Sequence, residues 1–96
     1  MNRTEAAYSG LLEGMRRSGE IKFYAFESTK FKLAKNTYYS PDFMVVRADG
    51  VTEFHEVKGF MTDDANVKIK VAADRFHFVF KLVRFDRQRG WQVEEV

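Results

Sequence analysis

Cysteine is absent from the 96 residues, proline occurs once and histidine twice. Without thiols there is neither a disulfide framework nor a thiolate zinc site, and such a chain fits a cytoplasmic setting. His55 and His77 are too few for an imidazole cage, so a metal held here is a hard cation bound through oxygen. No apolar run approaches the roughly 18–20 residues that a membrane span needs. The opening Met-Asn-Arg-Thr-Glu has no signal-peptide apolar stretch, so no membrane partner is expected; nor is a small-molecule cofactor.

What is abundant is aromatic and apolar: ten Phe, four Tyr and one Trp within a 45% hydrophobic chain. That is ample core for a single small domain spanning residues 1–96. Charge is unevenly spread along it. Residues 1–40 hold seven Lys/Arg and four Asp/Glu, residues 41–64 two and six, and residues 65–96 seven and four. An acidic centre between basic flanks suits a cation site within a surface that attracts phosphates.

Thr4 is placed to cap a helix running to about Arg17, with Gly19 ending it and Tyr8, Leu11, Leu12 and Met15 forming its apolar stripe. Ile21–Leu33 alternates as a strand, with a bend or break at Glu27-Ser28-Thr29. A turn at Ala34–Thr37 leads to a second strand, Tyr38–Ala48, in which Pro41 marks an edge or bulge. The third strand is Val51–Lys58. Thr62 or Asp63 then caps a second helix to about Phe76, whose inner face is Ala65, Ile69, Ala72, Ala73 and Phe76. Strands Phe78–Phe85 and Trp91–Val96 close the chain. The third and fourth strands, joined through a helix, are expected to be parallel neighbours with a right-handed crossover. The class is α/β (α+β): a mixed sheet of order αβββαβ(β) flanked by helices.

The loop between the second and third strands decides the chemistry. A two-residue turn at Asp49-Gly50 would set Asp42 opposite Val57, with Asp42 and Glu56 on opposite faces. A three-residue loop, Ala48-Asp49-Gly50, puts glycine where a type I turn with a G1 bulge needs a left-handed residue. Arg47 then pairs with Val51, Asp42 lies across from Glu56, and Lys58 shares their face. We adopt the three-residue loop. Two facing carboxylates repel unless a cation lies between them. Mg²⁺ is that cation, with the Val57 carbonyl able to complete the protein ligands. Lys58 can orient an attacking water or offset charge on a phosphoryl transition state.

Pro41-Asp42 with Glu56-Val57-Lys58 resembles the PD-(D/E)XK nuclease motif. The longer strings Tyr39-Ser40-Pro41-Asp42-Phe43 and His55-Glu56-Val57-Lys58-Gly59 are similar to small phage-type nucleases of that superfamily, akin to Holliday-junction resolvases and VRR-NUC nucleases. The resemblance runs from about Thr4 to Phe80. It implies a restriction-endonuclease-like fold and a Mg²⁺-dependent DNA endonuclease, with Mn²⁺ able to substitute. Phage DNA replication, recombination or repair, in the cytoplasm of a bacterial host, is the setting implied. Asp42 and Glu56 would be metal ligands and Lys58 the catalytic lysine. Glu5 would match the acid that many members carry on the first helix, and Lys68 or Lys70 would reach the scissile phosphate. The alternative is a non-catalytic DNA-binding or assembly subunit that keeps the fold.

Arg3, Arg16, Arg17, Lys22, Lys30, Lys32 and Lys35, interleaved with Phe23, Tyr24, Phe31, Tyr38 and Tyr39, offer phosphate contacts for DNA. With no base-reading module in the chain, structure-selective cutting of branched or junction DNA is expected. Val67 and Val71 point away from the inner face of the second helix and would form a homodimer patch.

Overall fold

The computed structural model describes residues 1–59 and 63–96, Asp63 by its backbone alone. Helix α1 (Arg3–Ser18) is followed by strand β1 (Ile21–Phe26), a ribbon of β2 (Phe31–Ala34) and β3 (Thr37–Tyr39), then β4 (Phe43–Arg47) and β5 (Thr52–Val57). Helix α2 (Asp63–Arg75), β6 (Val79–Asp86) and β7 (Gly90–Glu95) complete it. Five strands form one sheet in the order β1-β4-β5-β6-β7, and β2 and β3 form a separate two-stranded sheet. β5 and β6 are parallel and the other pairs antiparallel, as a helical connection between β5 and β6 requires. This is the expected α+β architecture. No helix among the described residues is long and apolar enough to cross a membrane.

Each face of the sheet has its own core. On one side α1 presents Tyr8 and Leu12 to Ile21, Phe43, Val45, Val57 and Val83. On the other, α2 and the ribbon together cover Phe54 and Phe80 with Ile69, Ala72, Phe31, Leu33 and Tyr39. Phe31 is the hub of that second core, in ring contact with Phe54, Phe76, Phe78 and Phe80. The alternation of buried and exposed residues along β2 and β4 follows directly from the two-residue period of a strand.

Four expectations are corrected. The cap of α1 is Asn2 rather than Thr4: Asn2 Oδ1 accepts the Glu5 N–H at 2.8 Å and Glu5 Oε1 accepts the Asn2 N–H at 2.7 Å, a capping box. Leu11 stands largely outside the stripe at 38% exposure. The second strand, read over 38–48, is split into β3 and β4, whereas the first breaks at Glu27-Ser28-Thr29 as expected. Glu27 turns at φ 48°, and Ser40-Pro41-Asp42 carries the chain from ribbon to sheet, where proline cannot donate to a ladder. Val71 packs against the second core instead of facing out, because α2 touches the ribbon as well as the sheet. Val67 alone is exposed, at 57%, so the two valines do not make one outward patch. The expected cap at Thr62 lies outside the described residues.

The turn between β4 and β5 is the three-residue form. Gly50 N–H donates to Arg47 O and Arg47 N–H to Val51 O, both at 2.9 Å, and Gly50 takes φ 89°. Only glycine adopts that left-handed conformation without strain, which is why the loop takes this length.

Candidate metal centre

The register Phe43↔His55, Met44↔Phe54 and Val45↔Glu53 fixes everything at the far end of the β4–β5 pair. One step further along it, Asp42 stands across from Glu56. Asp42 Oδ2 accepts the Val57 N–H at 2.8 Å, so the carboxylate and the Val57 backbone meet directly. The Lys58 N–H donates to Val83 O at 2.6 Å, so the backbone stays bonded to β6 one residue past Val57, but Lys58 forms no ion pair with Asp42 or Glu56.

Both carboxyls titrate above their ordinary range. Asp42 is pushed up to about 8, first by burial and then by the charge of Glu56. Glu56 is also raised, chiefly by burial, although hydrogen bonds from Tyr39 and Asp42 oppose that rise. Glu5 adds like charge to both. Two acids in a half-desolvated recess therefore retain a proton that a cation could replace.

Tyr39, at the end of β3, completes the recess. Its hydroxyl donates to Glu56 Oε1 at 2.6 Å, and burial with the neighbouring Glu56 charge holds the phenol protonated. Sequence reading placed Tyr39 among DNA-facing aromatics and missed this role. The available signal was its position three residues before Asp42, on a strand leading into the same turn.

The other candidates are placed as follows. Glu5 reaches the acid pair electrostatically, but its Oε1 is taken by the helix cap. Among the described residues no group of three or more His, Cys, Asp or Glu could hold a metal, so a cation here would have only the two carboxylates and backbone oxygen as protein donors. Arg16 and Arg17 lie at the opposite end of α1 and pair with Glu13 at 2.8 and 3.1 Å. Those bonds, with one from Tyr24, hold the Glu13 carboxyl down near 2. Lys68 pairs with Asp64 at 3.4 Å, and Lys70 is exposed. Lys30, Lys32 and Lys35 lie on or beside the ribbon.

A second acidic centre, unforeseen from sequence, occupies the other face of β5. Glu53 Oε1 meets His55 Nε2 at 2.8 Å, and His55 Nδ1 meets the Tyr8 hydroxyl at 2.7 Å. Glu53 Oε2 lies 3.1 Å from Lys81 Nζ and 3.5 Å from Arg47 Nη1. Burial alone would raise Glu53, but the bonds from His55 and Lys81 and the charge of Lys81 outweigh it and leave the carboxyl below its ordinary range. Burial lowers His55, so the imidazole is neutral at pH 7. An ionised Glu53 can only accept, so His55 donates through Nε2–H and accepts the Tyr8 hydroxyl at Nδ1. The signal was Glu53 and His55 two apart on a strand, sharing its α1 side.

Fold and site together define a small α+β domain with a half-buried acid pair at the end of two antiparallel strands. Residues 2–88 match the family described as Protein of unknown function (DUF1064), and the chain belongs to it. No curated protein and no solved structure matches the chain.

Proposed function

We propose that this protein is a Mg²⁺-dependent DNA endonuclease of the PD-(D/E)XK type that hydrolyses phosphodiester bonds in branched or junction DNA. The observation that carries the reading is the β4–β5 register, whose next step beyond Phe43↔His55 sets Asp42 across from Glu56, with Asp42 Oδ2 accepting the Val57 N–H. The donor set fits a hard cation: carboxylate and carbonyl oxygens, no thiol, and a neighbouring histidine already committed to Glu53. The raised Asp42 and Glu56 give the pair a physical need for positive charge.

Asp42 and Glu56 would hold the ion, assisted by the Val57 carbonyl and by water and a substrate phosphate. When bound, Mg²⁺ supplies polarisation of the phosphate and neutralisation of its charge. Lys58, one residue past β5, would orient the attacking water or hold a phosphate oxygen as charge grows there. Tyr39 fixes one oxygen of Glu56 and so the direction of the other. The setting in phage replication, recombination or repair belongs to the same proposal.

Incubating the protein with branched, nicked, single-stranded and linear duplex DNA, in Mg²⁺, Mn²⁺ or EDTA, tests the reading. Wild type is expected to cut branched DNA with either metal, and EDTA or Asp42→Ala to stop it. If wild type and Asp42→Ala are equally inert, or equally active, the reading is wrong.

Tyr39→Phe provides a finer check. It keeps the buried ring and removes only the hydroxyl that orients Glu56. Divalent-metal affinity is expected to fall about tenfold, as for other groups that position metal ligands, with a stability loss of about 1 kcal/mol. Calorimetric Mn²⁺ titration with a parallel thermal melt measures both. Unchanged affinity would remove Tyr39 from the site.

A further inference from the structure

Residues 28–41 contain three lysines and no acid. In the β2–β3 ribbon that they form, Phe31, Leu33 and Tyr39 are buried while Lys32, Ala34 and Tyr38 face out. Lys32 lies directly opposite Tyr38 in the ribbon register, and Lys30 Nζ sits 4.3 Å from the centre of the Tyr38 ring. Lys35 projects at the turn. None of the three lysines forms an ion pair with another described residue. Tyr38 keeps 40% of its surface exposed.

The ribbon is also fastened to the rest of the molecule. Arg75 Nη1 donates to the Leu33 carbonyl, and Tyr39 donates to Glu56. A ligand on its outer face therefore lies across the ribbon from the Tyr39 side chain that bonds Glu56. Lysines grouped without counter-charge attract a polyanion. An exposed aromatic among them adds a surface on which a base can stack, provided the base is unpaired. A lipid or acidic-protein surface would use the cations and have no use for the ring.

We propose that the outer face of the β2–β3 ribbon binds single-stranded nucleic acid, Tyr38 stacking on an unpaired base while Lys30, Lys32 and Lys35 hold the flanking phosphates. This takes its ligand class from the phosphodiester reading of the acid pair and adds the element that selects unpaired strands. Fluorescence anisotropy in EDTA, with labelled oligothymidylate and with labelled heparin, which has no bases, tests it without any cutting. Tyr38→Ala is expected to weaken oligothymidylate about tenfold while changing heparin less than about twofold, and Tyr38→Phe to restore wild-type binding. Lys30→Gln, Lys32→Gln and Lys35→Gln together should weaken both probes and flatten the logarithmic salt slope for oligothymidylate by about 2.

Equal losses for both probes in Tyr38→Ala, or unchanged binding in the triple variant, would overturn the proposal. Tyr38 and Lys32 are exposed, and thermal melts separate binding loss from unfolding. A wild type that binds oligothymidylate in the expected pattern yet cuts no DNA defeats the nuclease reading alone. A wild type that cuts while the ribbon variants bind normally defeats the ribbon alone.

Discussion

Asp42→Asn is expected to reduce Mg²⁺-dependent cutting on the order of 10³-fold or more, and also to raise the melting temperature of the metal-free protein. The two effects share one cause. Asp42 is pushed up to about 8 from an ordinary 3.8, by burial first and the Glu56 charge second. A carboxyl whose folded pKa lies above its unfolded value binds protons on folding. Its favourable contribution is complete below the unfolded pKa and is lost as pH rises through the folded one. The window therefore runs from about pH 4 to about pH 8. Asparagine keeps an oxygen for the Val57 N–H and a donor toward Glu56, and it never ionises. Discounted for the solvent that still reaches the pair, the gain is roughly 1–3 kcal/mol at pH 8, each kcal/mol being worth about 4–8 °C. It should shrink to nothing near pH 4. Thermal melts in EDTA across that range measure it, and a variant that melts below wild type at pH 8 would contradict the repulsion assigned to the pair.

Glu53→Ala is expected to do the opposite, destabilising the fold by roughly 2–4 kcal/mol. Glu53 is only 3% exposed and has three side-chain partners, His55, Lys81 and Arg47, of which His55 is bonded in turn to Tyr8. Removing it leaves a buried imidazole without its acceptor and two cations without their counter-ion. Lys81 and Arg47 are partly exposed and can rehydrate, which keeps the loss below that of a fully buried pair. Because Glu53 titrates below its ordinary range, its contribution is present above the ordinary glutamate pKa and disappears on acidification through the folded value. Urea unfolding at pH 7 and pH 3 measures this: the gap between variant and wild type should be wide at pH 7 and narrow at pH 3. Cutting per folded molecule should be retained, since Glu53 faces α1 and the acid pair faces α2.

Asp42 precedes β4 and Glu53 lies on β5, yet neutralising the first strengthens the fold and removing the second weakens it. Asp42 and Glu56 are held together against burial and mutual repulsion. Glu53 has its cations already.

This contrast was half legible in the sequence. Loop length was readable because Asp49-Gly50 offers a left-handed residue at one place only, and a strand's two-residue period carried that choice to Asp42 and Glu56. The parallel β5–β6 pairing was readable from the length of the α2 connection. The ribbon was hidden because Phe31, Leu33 and Tyr39 alternate as well in a long sheet strand as in a short separate one. Only the positive φ of Glu27 and the buried turn at Pro41 tell them apart. Tyr39 and Val71 were misplaced for the same reason: the ribbon gives both a partner that no local pattern announces. The Tyr8–His55–Glu53 chain needs α1 laid against β5, and periodicity gives the face of each element without saying which residues touch.

Calorimetric titration of Mn²⁺ into the metal-free protein, in two buffers of different ionisation enthalpy, tests most directly whether Asp42 and Glu56 form one cation site. Binding that releases a proton near pH 7, tightens by about tenfold per pH unit toward pH 8, and disappears in Asp42→Asn is the predicted result. Binding without proton release that persists in Asp42→Asn would contradict it.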